Sequence, residues 1–351
     1  MRKSRVSLIT AVLAAAVGMA NAASPSNGVV YSANEGDGSV SMITLDSGEV
    51  RTVNIPVVPH NVQISPNGKS VLAVGPSSEG HGGHGGEKSP SKSTNGMHGE
   101  ESGAALVLLD ASKPGELIAS LPSGDHPAHV VTSQNGDRAY ITNADANQLT
   151  VVDINQKTVA AEIPTGGYPH GLRLSPDGRE LYVANAAGDS VSVIDAQKLT
   201  ESARITVGKA PVQVAFTPDG KQVYVSLRDE NSVAIIDTVS RKVTGTVEVG
   251  RNPIQLFTTP DGTKVYVANQ GSDSNPDNTV SVIDTGTRRV IATVTTGMGA
   301  HGVVASGDGK WVFITNSKAN TVSAIDTSTQ AVVGTYKVGP APNGITYRSL
   351  P

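Results

Sequence analysis

A seven-bladed β-propeller, all-β with four-stranded antiparallel blades, is the fold this sequence predicts. Three observations carry it. One unit recurs seven times, each unit breaks into short β-branched runs, and the two chain ends hold complementary parts of a single unit. The first residue of the unit stands at Pro59, Pro127, Pro169, Pro211, Pro253, Ala300 and Pro342. Four of the six intervals are 42 residues long; the first, of 68, and the fifth, of 47, carry insertions. One four-stranded sheet cannot bury both of its faces, whereas sheets arranged radially cover one another.

In chain order, residues 1–22 read as a secretory signal. Arg2, Lys3 and Arg5 precede a short apolar run, Val6 to Val17, and Ala20-Asn21-Ala22 offers a small-residue cleavage site. The run is too short for a membrane span, and no later segment is apolar enough for one. A periplasmic or secreted chain of residues 23–351 is expected. It would keep 24 Lys and Arg against 31 Asp and Glu, a formal charge of −7, which argues against non-specific nucleic-acid binding. There is no cysteine, so disulfides, thiol catalysis and Cys-ligated zinc are excluded. Aromatics are only 3% of the chain, so the core must come mainly from Val, Ile, Leu and Ala, with 38 Gly and 20 Pro to make turns.

After the signal come Gly28 to Asn34, Ser39 to Ile43 and Glu49 to Val53, which read as strands b, c and d without a strand a. A complete unit reads Pro169-His170-Gly171-Leu172-Arg173-Leu174, a Ser175-Pro176-Asp177-Gly178 turn, Leu181 to Asn185, Ser190 to Asp195, and Ile205 to Gly208. The last unit has only strand a, Asn343 to Tyr347. Strand a from the C-terminus should therefore complete the N-terminal strands and leave no free sheet edge.

Tyr182-Val183-Ala184-Asn185 and Tyr266-Val267-Ala268-Asn269, with the variants Tyr140-Ile141-Thr142-Asn143 and Phe313-Ile314-Thr315-Asn316, resemble the YVTN family of bacterial β-propeller repeats. The repeat is also similar to that of the haem d1 domain of nitrite reductase and, more distantly, to the copper-bearing propeller of nitrous oxide reductase. The resemblance implies the fold and is weak for activity.

Most repeated polar residues are scaffold by position. Asp153, Asp195, Asp237, Asp284 and Asp326 end strand c in successive blades and should cap turns, as should the Asn that closes strand b. The eight histidines divide differently. His60, His170 and His301 occupy one position at the start of strand a, and His129 stands one residue later in its own unit, with His126 before it. His81, His84 and His98 fall in a Gly-, Ser-, Lys- and Glu-rich insert, residues 76–102, too polar to bury a core and expected to be disordered. A smaller insert, Gly271 to Asp277, reads as a polar loop. In a meander the d–a and b–c connections emerge on one face of the disc, so both groups of histidines should open onto the same channel mouth.

Two readings of the inner histidines stand side by side. Each ring hydrogen-bonds a neighbouring blade, or His60, His129, His170 and His301, with His81, His84 and His98 as a flap, hold copper, another transition metal or haem. For the whole protein the leading expectation is a ligand- or protein-binding module without turnover, monomeric, whose partner is a periplasmic protein or a small ligand. A metal-binding and redox role comes second, and a lactonase or lyase third. No nucleophile elbow, HExxH or phosphate loop occurs, and no acid is seen to converge on the histidines.

Overall fold

The computed structural model describes residues 24–78 and 105–350. The signal-like segment and nearly all of the insert, with His81, His84 and His98, lie outside the described residues. Twenty-eight strands, β1 (Gly28–Asn34) to β28 (Pro342–Ser349), form seven four-stranded sheets. Six are consecutive meanders. The seventh has the order β28-β1-β2-β3, with β2 spanning Ser39–Thr44 and β3 Glu49–Asn54. In it β1 pairs antiparallel with β28, Val30 opposite Tyr347 and Ser32 opposite Ile345. The ring is closed as the two ends of the sequence require, and all seven blades are present.

Burial within a blade explains the residue pattern. Strand b is covered on both faces by neighbouring blades, so it reads as an unbroken apolar run; Glu180–Asn185 is buried from its second residue onward. Strand d forms the rim and is largely exposed, as in Thr158–Pro164. Between blades the third residue of strand b, the fourth in β1, is the large filler. Tyr31, Tyr182, Tyr224, Tyr266 and Phe313 are fully buried there, each among β-branched residues of two sheets. Five such aromatics go far to explain how a chain so poor in them packs a core.

The repeated polar residues act as scaffold. Asp195 Oδ1 accepts from the amides of Gln197 (3.0 Å) and Lys198 (2.8 Å), and Asp237, Asp284 and Asp326 cap their turns in the same way. The strand-b Asn does more than turn the chain. Asn185 Nδ2 donates to Ser190 Oγ (3.2 Å) and Ser192 Oγ (2.9 Å), clasping strand b to strand c in the interior, and Asn269 and Asn316 repeat the clasp. The next d–a segment passes so close that a Cβ on Gly250 would sit 2.3 Å from Asn269 Nδ2, which only glycine permits.

The smaller insert departs from the polar-loop expectation. Strands Lys264–Gly271 and Pro276–Asp284 extend through it, with Gly271 opposite Pro276. Asp277 is buried there, accepting from Asn278 N (2.8 Å) and Thr279 N (3.0 Å) and facing Arg251 Nε at 3.3 Å. Those partners turn a sequence that reads as loop into a ladder.

Candidate metal centre at the channel mouth

The innermost strands are strand a of each blade, and their first residues ring one mouth of the channel. His60 lies just ahead of β4 (Asn61–Ile64), His129 in β8 (Pro127–Thr132), His170 in β12 (Pro169–Leu174) and His301 in β24 (Ala300–Ala305). The one-residue offset of His129 is absorbed locally. The ladder slips between Pro127 and Val130, as it does between Pro169 and Leu172, so the second residue after the unit's first can also face the channel.

Three of the four rings meet. His60, His129 and His170 each offer a nitrogen, and all three nitrogens lie within 4.8 Å of one another. Ring centroids are 4.7 Å apart for His129 and His170, 5.3 Å for His60 and His170, and 5.5 Å for His60 and His129. His301 stands further out, buried and 6.5 Å from His60.

Hydrogen-bond partners decide which nitrogen faces inward. His170 Nδ1 lies 3.2 Å from the Val212 carbonyl of the next blade, which can only accept, so Nδ1 carries the proton. His60 Nδ1 lies 3.2 Å from Glu35 Oε1, and Asn343 Nδ2 donates to Glu35 Oε2 at 2.6 Å. His170 therefore presents a lone pair on Nε2, and His60 Nε2 lies 3.3 Å from it. Two ring nitrogens at that distance call for a proton or a cation between them. The separation matches the edge of about 3.3 Å between two imidazole ligands held about 2.0–2.1 Å from a tetrahedral ion. His129 is fully buried, and neither of its ring nitrogens has a hydrogen-bond partner among the described residues.

Burial keeps the rings of His129, His170 and His301 neutral. Burial, then the charge of His60, holds His170 down at about 3, and the same two causes hold His301 there; burial and the neighbouring His170 push His129 well below the usual histidine range. Burial would raise Glu35, but the hydrogen bond and charge of His60, then the bond from Asn343, outweigh it and bring the carboxyl to about 2. The mouth thus holds one ionised carboxylate, Glu35, and three neutral imidazoles, His129, His170 and His301.

Glu35 corrects the expectation that no acid converges. It directly follows the Asn that closes β1, a place taken by Ala144, Ala186 and Ser317 in other blades, so a lone acid there was the available signal. Asn343, at the histidine position of its own unit, joins as the partner of both Glu35 and His60 (3.1 Å). A cleft of about 360 Å³ leads outward from His60 and His170 between Glu35, Val58, Pro76 and Tyr168. Pro76, where the larger insert begins, is tied to this rim by Val58 N (2.8 Å).

The YNCE-like β-propeller family matches residues 222–348, and the cytochrome D1 haem domain matches residues 125–270. No curated protein matches the sequence. Among solved structures, a chain of Kuenenia stuttgartiensis hydrazine synthase is similar at 20% identity, with 85% of this chain and 96% of that one covered and a TM-score of 0.68. A functionally unknown protein from Desulfotomaculum acetoxidans shares 16% identity over 93% of this chain and 100% of its own, with a TM-score of 0.74. A candidate 6-phosphogluconolactonase from Bacteroides fragilis shares 17% over 92% and 98%, with a TM-score of 0.71. Identities this low show the fold alone. Blade count and the two partial family matches agree on the fold: the chain is a seven-bladed β-propeller.

Proposed function

We propose that this protein is an exported binding propeller whose channel mouth holds one transition-metal ion through His60, His129 and His170. The observation that carries the reading is the pair of inward Nε2 atoms 3.3 Å apart beside the unpartnered ring of His129. Glu35 on His60 and the Val212 carbonyl on His170 are the outer partners that commonly fix a ligating imidazole. An all-imidazole set without thiolate suits zinc, copper or nickel; the tetrahedral edge favours zinc, and the general affinity order favours copper. Three protein ligands leave a fourth position open toward the cleft, where a small ligand or a partner's side chain can reach the ion.

Haem, which the cytochrome D1 match raises, fits this mouth poorly. Rings packed with centroids 4.7 to 5.5 Å apart leave no slot for a tetrapyrrole plane between them. The matched stretch also omits Glu35, His60 and His301.

The test is calorimetric titration of chelator-stripped protein with Zn²⁺, Cu²⁺ and Ni²⁺, with metal analysis of the product. One ion per chain is expected, and His129→Ala or His170→Ala should weaken it at least about 100-fold. His126→Ala should leave it unchanged. The site should persist when residues 79–104 are deleted. Failure of all three ions to bind stoichiometrically, or binding indifferent to His170, would end the proposal. Export is tested separately: the mature protein from a periplasmic extract should begin at Ala23.

A further inference from the structure

The opposite mouth of the channel holds a second feature that the histidine site does not use. At the fifth place of strand a the seven units carry Gln63, Val131, Arg173, Ala215, Phe257, Val304 and Thr346, so Arg173 is the one charge in that layer. Its guanidinium is sunk in the channel wall. Nη1 donates to the Leu172 carbonyl at 3.0 Å, and Cζ lies 6.0 Å from the Phe257 ring. Among the described residues no carboxylate comes within ion-pair distance of it. Burial alone draws its pKa down to about 10, so at neutral pH it is a half-buried cation with no ion-pair partner among the described residues. It borders a cavity of about 430 Å³ whose other polar groups, Gln63, Thr132, Ser306 and Thr346, are uncharged.

We propose that this cavity binds a small monocarboxylate with an apolar body. A guanidinium offers five N–H groups in a planar fork that matches a carboxylate bidentately, and most of that fork is free to donate here. One cation neutralises one carboxylate, whereas a phosphate dianion would bury an unbalanced charge. Beyond the polar groups the wall is apolar, with Ile64, Leu174, Phe257 and Val304 available to cover a hydrocarbon body. The site is built on strands of the ring and shares no residue with the metal site.

Calorimetry with cyclohexanecarboxylate, its neutral amide and inorganic phosphate decides the matter. The acid should bind one to one, and the amide and phosphate should each bind at least about tenfold more weakly. Arg173→Gln should abolish the preference for the acid, while His170→Ala should preserve it. Phe257→Leu should weaken the cyclohexyl acid more than acetate, a reading that survives if Arg173→Gln does not fold. Equal binding of acid and amide by the native protein, preference for phosphate, or no binding of the acid up to about 10 mM would each overturn the proposal.

Discussion

Single residues set the chemistry of the channel mouth, and three of them act through pH. An unfolded histidine takes a proton near 6.5, whereas folded His170 and His301 do so only at about 3, because burial disfavours the charged ring. Between those values the unfolded chain binds more protons than the folded one, so stability is complete above the unfolded value and falls as pH drops through the window. Glu35, depressed to about 2 from 4.5, adds a loss in the same direction at the acid end. Thermal melts of metal-free protein should therefore show Tm falling from neutral pH toward about pH 4, and His301→Asn, which installs the residue its neighbouring unit already carries, should flatten the slope. A Tm constant across that range would refute the assignment of neutral buried rings. Glu35→Gln keeps the shape but weakens the acceptor that holds His60, and metal affinity should drop about 10- to 100-fold while the fold persists. An unchanged affinity would mean that His60 is not a ligand. His60, His170 and His301 could be read from sequence because they share one place in the repeat. Glu35 and Asn343 could not, since their role depends on which strand of another unit lies beside them.

Elements show where a repeat constrains packing. The aromatic in strand b is buried from both sides, so its removal leaves a cavity that neither blade can collapse into. Tyr224 is fully buried among Val233, Ile235, Val247, Leu256 and Val267 of its own and the next sheet. Tyr224→Ala should cost about 3–5 kcal/mol in urea unfolding, whereas an exposed rim substitution such as Val239→Ala should stay within about 0.5 kcal/mol. Equal losses at the two positions would contradict the radial packing. Strand alternation and Pro-Asp-Gly turns made the blades legible. The ladder slip at Pro127 to Val130 did not show, because a bulge is a matter of pairing register with a second strand. The same slip recurs in the blades of His170 and His301, and His129, one residue further along its strand, still meets the other rings.

At the scale of the molecule, closure and coupling follow from the ring. Deleting residues 342–351 removes β28, exposes the edge of β1 and takes Asn343 from Glu35 and His60. The truncated chain should lose its cooperative transition and aggregate, where a wild-type Tm would show that closure is dispensable. The channel also joins its two mouths electrostatically, since the charge of Arg173 acts against positive charge at His129. A carboxylate bound at Arg173 should thus tighten metal binding at the histidines, and the metal should tighten the carboxylate by the same factor. The order and number of the blades, the closing strand and the ring position of four histidines were determined by the sequence, because hydrophobic period, turn chemistry and repeat spacing are local and additive. Which imidazoles meet, which nitrogen each turns inward and which acid supports them were decided only by the tertiary structure. Those relations join residues from different blades across one axis, and no spacing along the chain encodes them.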